Sequence, residues 1–151
     1  MLKVGEILHG EADANASLTL PFDQRQKSRL RACLDDGEEI GLLLPRGSTL
    51  RGGDLLRAED GRVIQVIAAP ESVSTVDCGD PRLLAVAAYH LGNRHVPVQV
   101  GDGWLRFAHD HVLEAMVGGL GLPVRQEQAP FEPEDGAYGG HGSHAHLHEH
   151  D

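Results

Sequence analysis

The sequence predicts an α+β protein with a small all-β N-terminal domain, a ferredoxin-like βαββαβ domain and a disordered histidine-rich C-terminal tail. Short apolar runs separated by turn residues indicate the first domain over residues 1–70. Two helical periodicities interleaved with strands indicate the second domain over residues 71–133. Residues 134–151 are dominated by glycine, acidic residues and histidine without a core-forming pattern, so we expect them to be disordered.

Residues 1–70 sustain no helical period, and we expect them to form a small twisted β-sandwich or barrel. Strands are predicted at residues 29–33, 39–44, 54–57 and 62–67, which contain runs of apolar or β-branched residues. Between the last two strands, Asp60-Gly61 is a strong hairpin-turn signal.

Two helices are predicted within residues 71–133. Asp80 is a favourable N-cap, and Pro81 fits the first helical position. Apolar residues then repeat at helical spacing, and we expect this helix to end at Gly92. A second helix is predicted to end in the glycine-rich residues 118–121, and its apolar face consists of Leu113, Met116, Val117 and Leu120.

Four strands complete the second domain, at residues 73–77, 96–100, 104–108 and 124–127. Gly101-Asp102-Gly103 indicates a hairpin between the middle two. The resulting order is β-α-β-β-α-β, which is typical of the ferredoxin-like arrangement with two helices on one face of an antiparallel sheet.

The charge and cysteine content narrow the possible partners and compartment. The formal net charge is −10, and residues 126–151 contain six acidic residues and no Lys or Arg. Such a surface repels phosphate backbones, so we expect cations and not nucleic acid as partners. Cys33 and Cys78 do not suggest a disulfide framework, and we see neither a signal peptide nor a membrane span. A soluble cytoplasmic protein is the expectation.

Half of the ten histidines lie in the predicted tail. They are His141, His144, His146, His148 and His150. From position 144 they alternate, so an extended chain would direct them to one side, and the neighbouring glycine and serine would let them converge on one ion. Neutral imidazole binds nickel, zinc and copper, so we predict metal binding here. A purification tag and an unselective sink for divalent metals are the alternatives.

Three histidines of the second domain are further candidate ligands. His95 follows the first predicted helix, in a connection of the kind that often contains binding groups. His109 and His111 flank Asp110; on a helix they would point about 200° apart, whereas on an extended segment they would share a face. Asp110 is alternatively the N-cap of the second helix. His90 is better explained as a residue at the edge of the core.

Signatures of common enzymes are missing. The sequence contains no HExxH, Walker, GxSxG or GxGxxG motif. We therefore predict a protein that is not an enzyme and assign no catalytic residue.

Two stretches resemble signatures of the UreE urease accessory proteins. Residues 89–97 read Tyr-His-Leu-Gly-Asn-Arg-His-Val-Pro, and residues 107–113 read Phe-Ala-His-Asp-His-Val-Leu. The β-rich first segment, with residues 44–47 and 50–56, also fits, so the resemblance covers nearly the whole chain. It implies a homodimer that transfers Ni²⁺ to urease, with a peptide-binding N-terminal domain and the dimer contact in the ferredoxin-like domain.

The resemblance also implies roles for individual residues. His95 corresponds to the central metal ligand, contributed once by each protomer, and His109 and His111 match peripheral ligands of some members. Histidine-rich tails occur in some members only. The implied partners are the urease apoprotein complex and the UreG GTPase.

Nickel delivery is therefore the first functional hypothesis. A histidine-rich nickel or zinc store is the alternative, and a peptide-binding adaptor is a third possibility. Zn²⁺ and Cu²⁺ are additional candidate metals, because copper binds such ligands most tightly whatever the biological metal is.

Overall fold

The computed structural model describes residues 1–136. These residues divide into two compact units, residues 1–69 with 135–136 and residues 70–134. The predicted disorder of the tail concerns residues that lie almost entirely outside the described part of the chain.

The first unit is a six-stranded mixed sheet with one short helix. Its strands follow the order β2-β6-β5-β1-β4-β3; the pairs β1–β4 and β2–β6 are parallel and the others antiparallel. The elements are β1 Leu2–Leu8, β2 Ala16–Leu20, α1 Phe22–Arg25, β3 Arg29–Cys33, β4 Glu39–Leu43, β5 Leu55–Ala58 and β6 Val63–Ala68.

The two edges of this sheet are bridged through Asp35, which lies just after β3. Its carboxylate accepts hydrogen bonds from the hydroxyls of Ser17 (2.6 Å) and Thr19 (2.8 Å) on β2, and its backbone N–H donates to the Ser17 carbonyl at 2.9 Å. The sheet therefore curls around a single core of leucine, valine and isoleucine side chains. Burial alternates along β6, as expected for a strand with one face on a core.

The prediction that residues 1–70 are all-β is wrong at α1. The helix is a single turn, which is too short to produce a detectable apolar period. It is held by Arg25, whose fully buried guanidinium donates to the carbonyl oxygens of Leu20 (3.0 Å) and Leu50 (3.1 Å). These contacts lie 5 and 25 residues apart in sequence, so only the folded chain brings them together.

The second unit has the element order β-α-β-β-α-β. Its four strands lie in the order β10-β7-β9-β8, and each neighbouring pair is antiparallel. The elements are β7 Pro70–Asp77, α2 Pro81–Asn93, β8 Gln99–Gly101, β9 Trp104–Ala108, α3 His111–Gly119 and β10 Val124–Pro130. One face of the sheet and both helices enclose a core that includes Val76, Leu91, Phe107 and Val117.

The start of α2 confirms the prediction, whereas its end does not. The Asp80 carboxylate accepts hydrogen bonds from the backbone N–H groups of Arg82 (3.0 Å) and Leu83 (3.4 Å), and Pro81 is the first helical residue. The helix continues through Gly92 to Asn93. The reason is that His95, and not Gly92, adopts the left-handed conformation that turns the chain away from the helix.

Several strand boundaries also differ from the prediction, most of all the start of β8 and the end of β10. β8 begins at Gln99 instead of residue 96, since Pro97 has no N–H to donate and the Val98 carbonyl accepts from Glu134 N–H at 2.9 Å. β10 continues to Pro130 because it pairs with β7 along its whole length. The predicted strand at 104–108 is confirmed as β9.

No helix within residues 1–136 combines the length and apolar character required to cross a membrane.

Candidate metal site on the second unit

His95 directly follows α2 and has an unusual backbone conformation. Its φ is 60°, and it is the only non-glycine residue with positive φ in residues 1–136. Its N–H donates to the Gly92 carbonyl at 3.0 Å, one step after Arg94 N–H donates to Leu91 at 3.1 Å. The residue is exposed. The turn therefore presents the imidazole on the surface. The backbone conformation of His95 is sterically costly for any residue with a Cβ.

His109 follows β9 and is fixed at both its backbone and its side chain. Its N–H donates to the Ser72 carbonyl at 3.1 Å, which prolongs the pairing of β9 with β7. Its Nδ1 lies 3.0 Å from Glu114 Oε2, and its side chain is 36% exposed. The ring is therefore oriented by the protein and still accessible from solvent.

Glu114 is in the first turn of α3, and its carboxylate accepts several hydrogen bonds. The Ser74 hydroxyl donates to its Oε2 at 2.5 Å, and Gln126 Nε2 donates to its Oε1 at 3.3 Å. These bonds hold the pKa of the Glu114 carboxyl below its ordinary value; the Ser74 hydroxyl has the largest effect, followed by His109 and Gln126. Glu114 is therefore a carboxylate at neutral pH.

Asp110 caps α3. Its carboxylate accepts from the backbone N–H groups of Leu113 (3.1 Å) and Val112 (2.8 Å), which lower the pKa of the Asp110 carboxyl. The structure thus confirms the predicted N-cap role of Asp110. The residue itself is extended, with φ −159° and ψ 116°, so His109 and His111 flank an extended residue at the helix entry. His111 is exposed at the first position of α3.

The described part of the chain does not complete a metal site by itself. Within residues 1–136, no group of three or more histidine, cysteine, aspartate or glutamate side chains could hold a metal ion. A metal ion at His95, His109 or His111 would therefore need ligands from beyond residues 1–136 of the same chain. The remaining predicted ligands, His141, His144, His146, His148 and His150, lie outside the described residues.

Other candidates from the sequence are also located. His90 is partly buried on α2, and its ring meets that of Tyr89 edge-on at 5.2 Å between centroids. Cys33 and Cys78 are both free thiols.

The sequence-based prediction missed Ser74, Glu114 and Gln126. No motif connects them, because Ser74 and Glu114 are 40 residues apart and meet only through the sheet register and the packing of α3. The single signal in the sequence is a carboxylate in the turn that follows His109.

Comparison with known protein families identifies the class to which the chain belongs. The model of the UreE urease accessory protein C-terminal domain matches residues 71–151, and that of the N-terminal domain matches residues 3–69. The chain is thus among the urease accessory proteins, which assist an enzyme and are not enzymes themselves.

Individual relatives agree with the family models. The chain is 61% identical over 140 residues to the urease accessory protein UreE of Alkalilimnicola ehrlichii, a match that spans 93% of this chain and 86% of the relative. It is 51% identical over 158 residues to that of Vibrio parahaemolyticus, with 98% and 99% covered. The chain belongs to the UreE family, which confirms the resemblance seen in residues 89–97 and 107–113.

Proposed function

We propose that this protein is a homodimeric nickel metallochaperone that delivers Ni²⁺ for assembly of the urease active site. The observation that carries the proposal is His95, an exposed imidazole held at a φ of 60° directly after α2. Non-glycine residues in this conformation are costly and concentrate at functional sites. Membership of an accessory-protein family supports a role in metal supply to urease.

Nickel in this scheme is the cargo, and the folded dimer provides only two ligands for it. One His95 from each protomer provides two imidazoles across a two-fold axis, which is an incomplete coordination shell. Tail histidines 141, 144, 146, 148 and 150 belong to the same chain, so they complete this shell at high effective concentration. Because the ligands exchange stepwise, the ion passes to an acceptor, whereas four rigid ligands would make a closed structural site.

His109 and His111 form a second, peripheral nickel position. They flank the extended Asp110 at the entry to α3, so both imidazoles project from the same short segment. The position supplies ions to the central site or receives them from solvent. Zn²⁺ and Cu²⁺ also bind imidazole and compete for the same ligands.

The two units divide the work. Residues 71–133 form a ferredoxin-like domain for metal binding and dimerisation, a reading supported by the strand order β10-β7-β9-β8. Residues 1–70 form a β-rich domain for peptide contacts, and the histidines of residues 134–151 supply further metal ligands. The partners are the urease apoprotein complex and the UreG GTPase, and the protein acts in the cytoplasm.

Nickel titration separates delivery from simple storage. We compare the full chain, His95→Asn and a chain ended after Gly136, with the oligomeric state measured by light scattering. Asparagine tolerates the left-handed backbone, so the substitution removes the imidazole with little strain. Delivery predicts that His95→Asn loses one tight nickel per dimer but stays dimeric, and that the truncated chain loses only additional, weaker ions.

The histidine-rich tail favours storage as the second candidate function. Storage predicts that nickel content depends on the tail alone and is unaffected by His95→Asn. His9→Asn, which removes an exposed histidine of the first unit, is the matched control and should change neither quantity. Retention of one tight nickel per dimer in His95→Asn would rule out the proposed role of His95.

A further inference from the structure

Ser74, Glu114 and His109 form a hydrogen-bonded cluster around Nδ1 of the His109 ring. The His109 Nδ1–Glu114 Oε2 distance is 3.0 Å and the Ser74 Oγ–Glu114 Oε2 distance is 2.5 Å, whereas Ser74 Oγ lies 3.5 Å from His109 Nδ1. Ser74 is fully buried. In residues 1–136, the His109 ring has hydrogen-bond partners only at Nδ1.

The sheet places these groups with little freedom. Ser74 is paired with Phe107 on one side and with Gln126 on the other, so the three side chains point to the same face, toward the helices. Gln126 Nε2 donates to the second oxygen of Glu114 at 3.3 Å. Both oxygens of the Glu114 carboxylate are therefore held by protein hydrogen bonds in the metal-free protein.

The donor and acceptor count then determines the His109 tautomer. A carboxylate only accepts, and the single Ser74 proton is directed to it along the shorter of its two contacts. A lone pair on Nδ1 would face the carboxylate at 3.0 Å, so Nδ1 must bear the proton. In the neutral ring, the lone pair is consequently on Nε2, the nitrogen that has no hydrogen-bond partner within residues 1–136.

We propose that Glu114, supported by Ser74 and Gln126, is a positioning residue that fixes His109 as an Nε2 donor to a divalent metal ion. The inference rests on the proposed nickel function, because it assumes that His109 is a ligand. A carboxylate that accepts the other N–H of a ligating histidine orients the ring and increases its basicity. His109 is then a pre-oriented ligand, whereas the cluster leaves His111 unconstrained.

The first test reads the tautomer in the metal-free full-length protein at pH 8. Long-range ¹H–¹⁵N spectra of the histidine rings should show His109 with a protonated Nδ1 and an unprotonated Nε2; the His109→Gln variant assigns the signal. In Glu114→Leu this preference should be lost. Glu114→Gln retains an acceptor oxygen, so it should keep the tautomer and serves as the second variant if the leucine protein does not fold.

The second test measures nickel at the same ring. Line broadening of the His109 signals by NiSO₄ should require roughly 10- to 100-fold more nickel in Glu114→Leu, and less of an increase in Glu114→Gln. Glu127→Leu is the matched control, because Glu127 accepts from the Thr75 hydroxyl at 2.6 Å and, within residues 1–136, pairs with arginines and with no histidine. It should leave both the tautomer and the nickel requirement at His109 unchanged.

Three results would overturn the inference: a protonated Nε2 in the unsubstituted protein, an unchanged nickel requirement in Glu114→Leu, or no effect of nickel on His109. Each is distinguishable from failure of the proposed function. The one-per-dimer site that depends on His95 is titrated in the same samples, and its absence would count against nickel delivery whatever the state of His109.

Discussion

His95 adopts a backbone conformation that glycine adopts at lower free energy. A left-handed residue with a Cβ costs about 1–2 kcal/mol, although histidine and asparagine tolerate it better than most. The neighbouring Gly92 is available in the sequence but remains helical. The exposure of His95 leaves little packing to offset this cost, which agrees with the ligand role proposed for its imidazole.

Substitution of His95 by glycine should stabilise the metal-free protein while it removes the tight nickel site. Relief of the left-handed conformation outweighs the added entropy of the unfolded chain, so we expect the free energy of unfolding to rise by about 0.5–1 kcal/mol. Chemical denaturation of the apoprotein measures this change. His9→Gly is the control, because His9 has no positive φ and should gain nothing.

A fall in stability of 1 kcal/mol or more in His95→Gly would contradict this account. It would indicate that the imidazole packs or caps the turn after α2.

At the scale of elements, both long helices begin at an aspartate N-cap. Asp80 caps α2, and Asp110 caps α3 between two candidate ligands. The cap keeps Asp110 extended and places His111 at the first helical position. The start of α3 thus positions His109 and His111, so the stability of that helix end and the geometry of these two candidate ligands depend on the same residue.

Asp110→Ala should lower the free energy of unfolding by about 1 kcal/mol, whereas Asp110→Asn should be nearly neutral because asparagine caps equally well. If Asp110 acts through the cap alone, Asp110→Asn also retains nickel at His109 and His111. Thermal unfolding with nickel titration measures both effects. Asp80→Ala is the control, because it removes the N-cap of α2 and not the N-cap beside these histidines. This variant should lose a similar amount of stability without a change in nickel binding.

Loss of nickel from Asp110→Asn at unchanged stability would instead identify the Asp110 carboxylate as a ligand.

At the scale of the whole molecule, an acidic chain with a net charge of −10 favours cations, and many of its carboxylates are held ionised. Hydrogen bonds from hydroxyl, guanidinium or backbone donors are the largest cause of a lowered pKa in six of them. These are Asp35, Glu38, Asp60, Asp110, Glu114 and Glu127. They belong to both units, so acid should weaken each unit.

Metal release and acid unfolding should therefore occur in separate pH windows. A carboxyl whose pKa is lowered by folding stabilises the protein above its unfolded pKa, about 4, and this contribution is lost as pH falls through the folded value. Apoprotein stability should fall mainly below about pH 4, whereas imidazole ligands become protonated and release nickel between about pH 7.5 and 5.5. Circular dichroism and nickel titration across pH 3–8 measure the two transitions.

Nickel affinity that is constant between pH 7.5 and 5.5 would point to carboxylate ligands and contradict the histidine scheme.

The sequence by itself determined the features that depend on residues close together in the chain. Capping preferences predict the start of α2 at Asp80-Pro81, and turn preferences predict the hairpin at Asp60-Gly61 between β5 and β6. The alternation of apolar residues predicts strand β9. All of these preferences act over a few residues. The stretches 89–97 and 107–113 also sufficed to identify the family and to name His95, His109 and His111 as candidate ligands.

Only the tertiary structure decided the features that depend on distant residues. The single turn of α1 is held by the hydrogen bond from Arg25 to the carbonyl of Leu50, 25 positions away. The His109 ring is oriented by Glu114, whose carboxylate accepts from the hydroxyl of Ser74, 40 positions away. The left-handed conformation of His95 likewise contradicts the local preference for glycine. Sheet register and helix packing bring these groups together, and neither is encoded in the spacing of nearby residues.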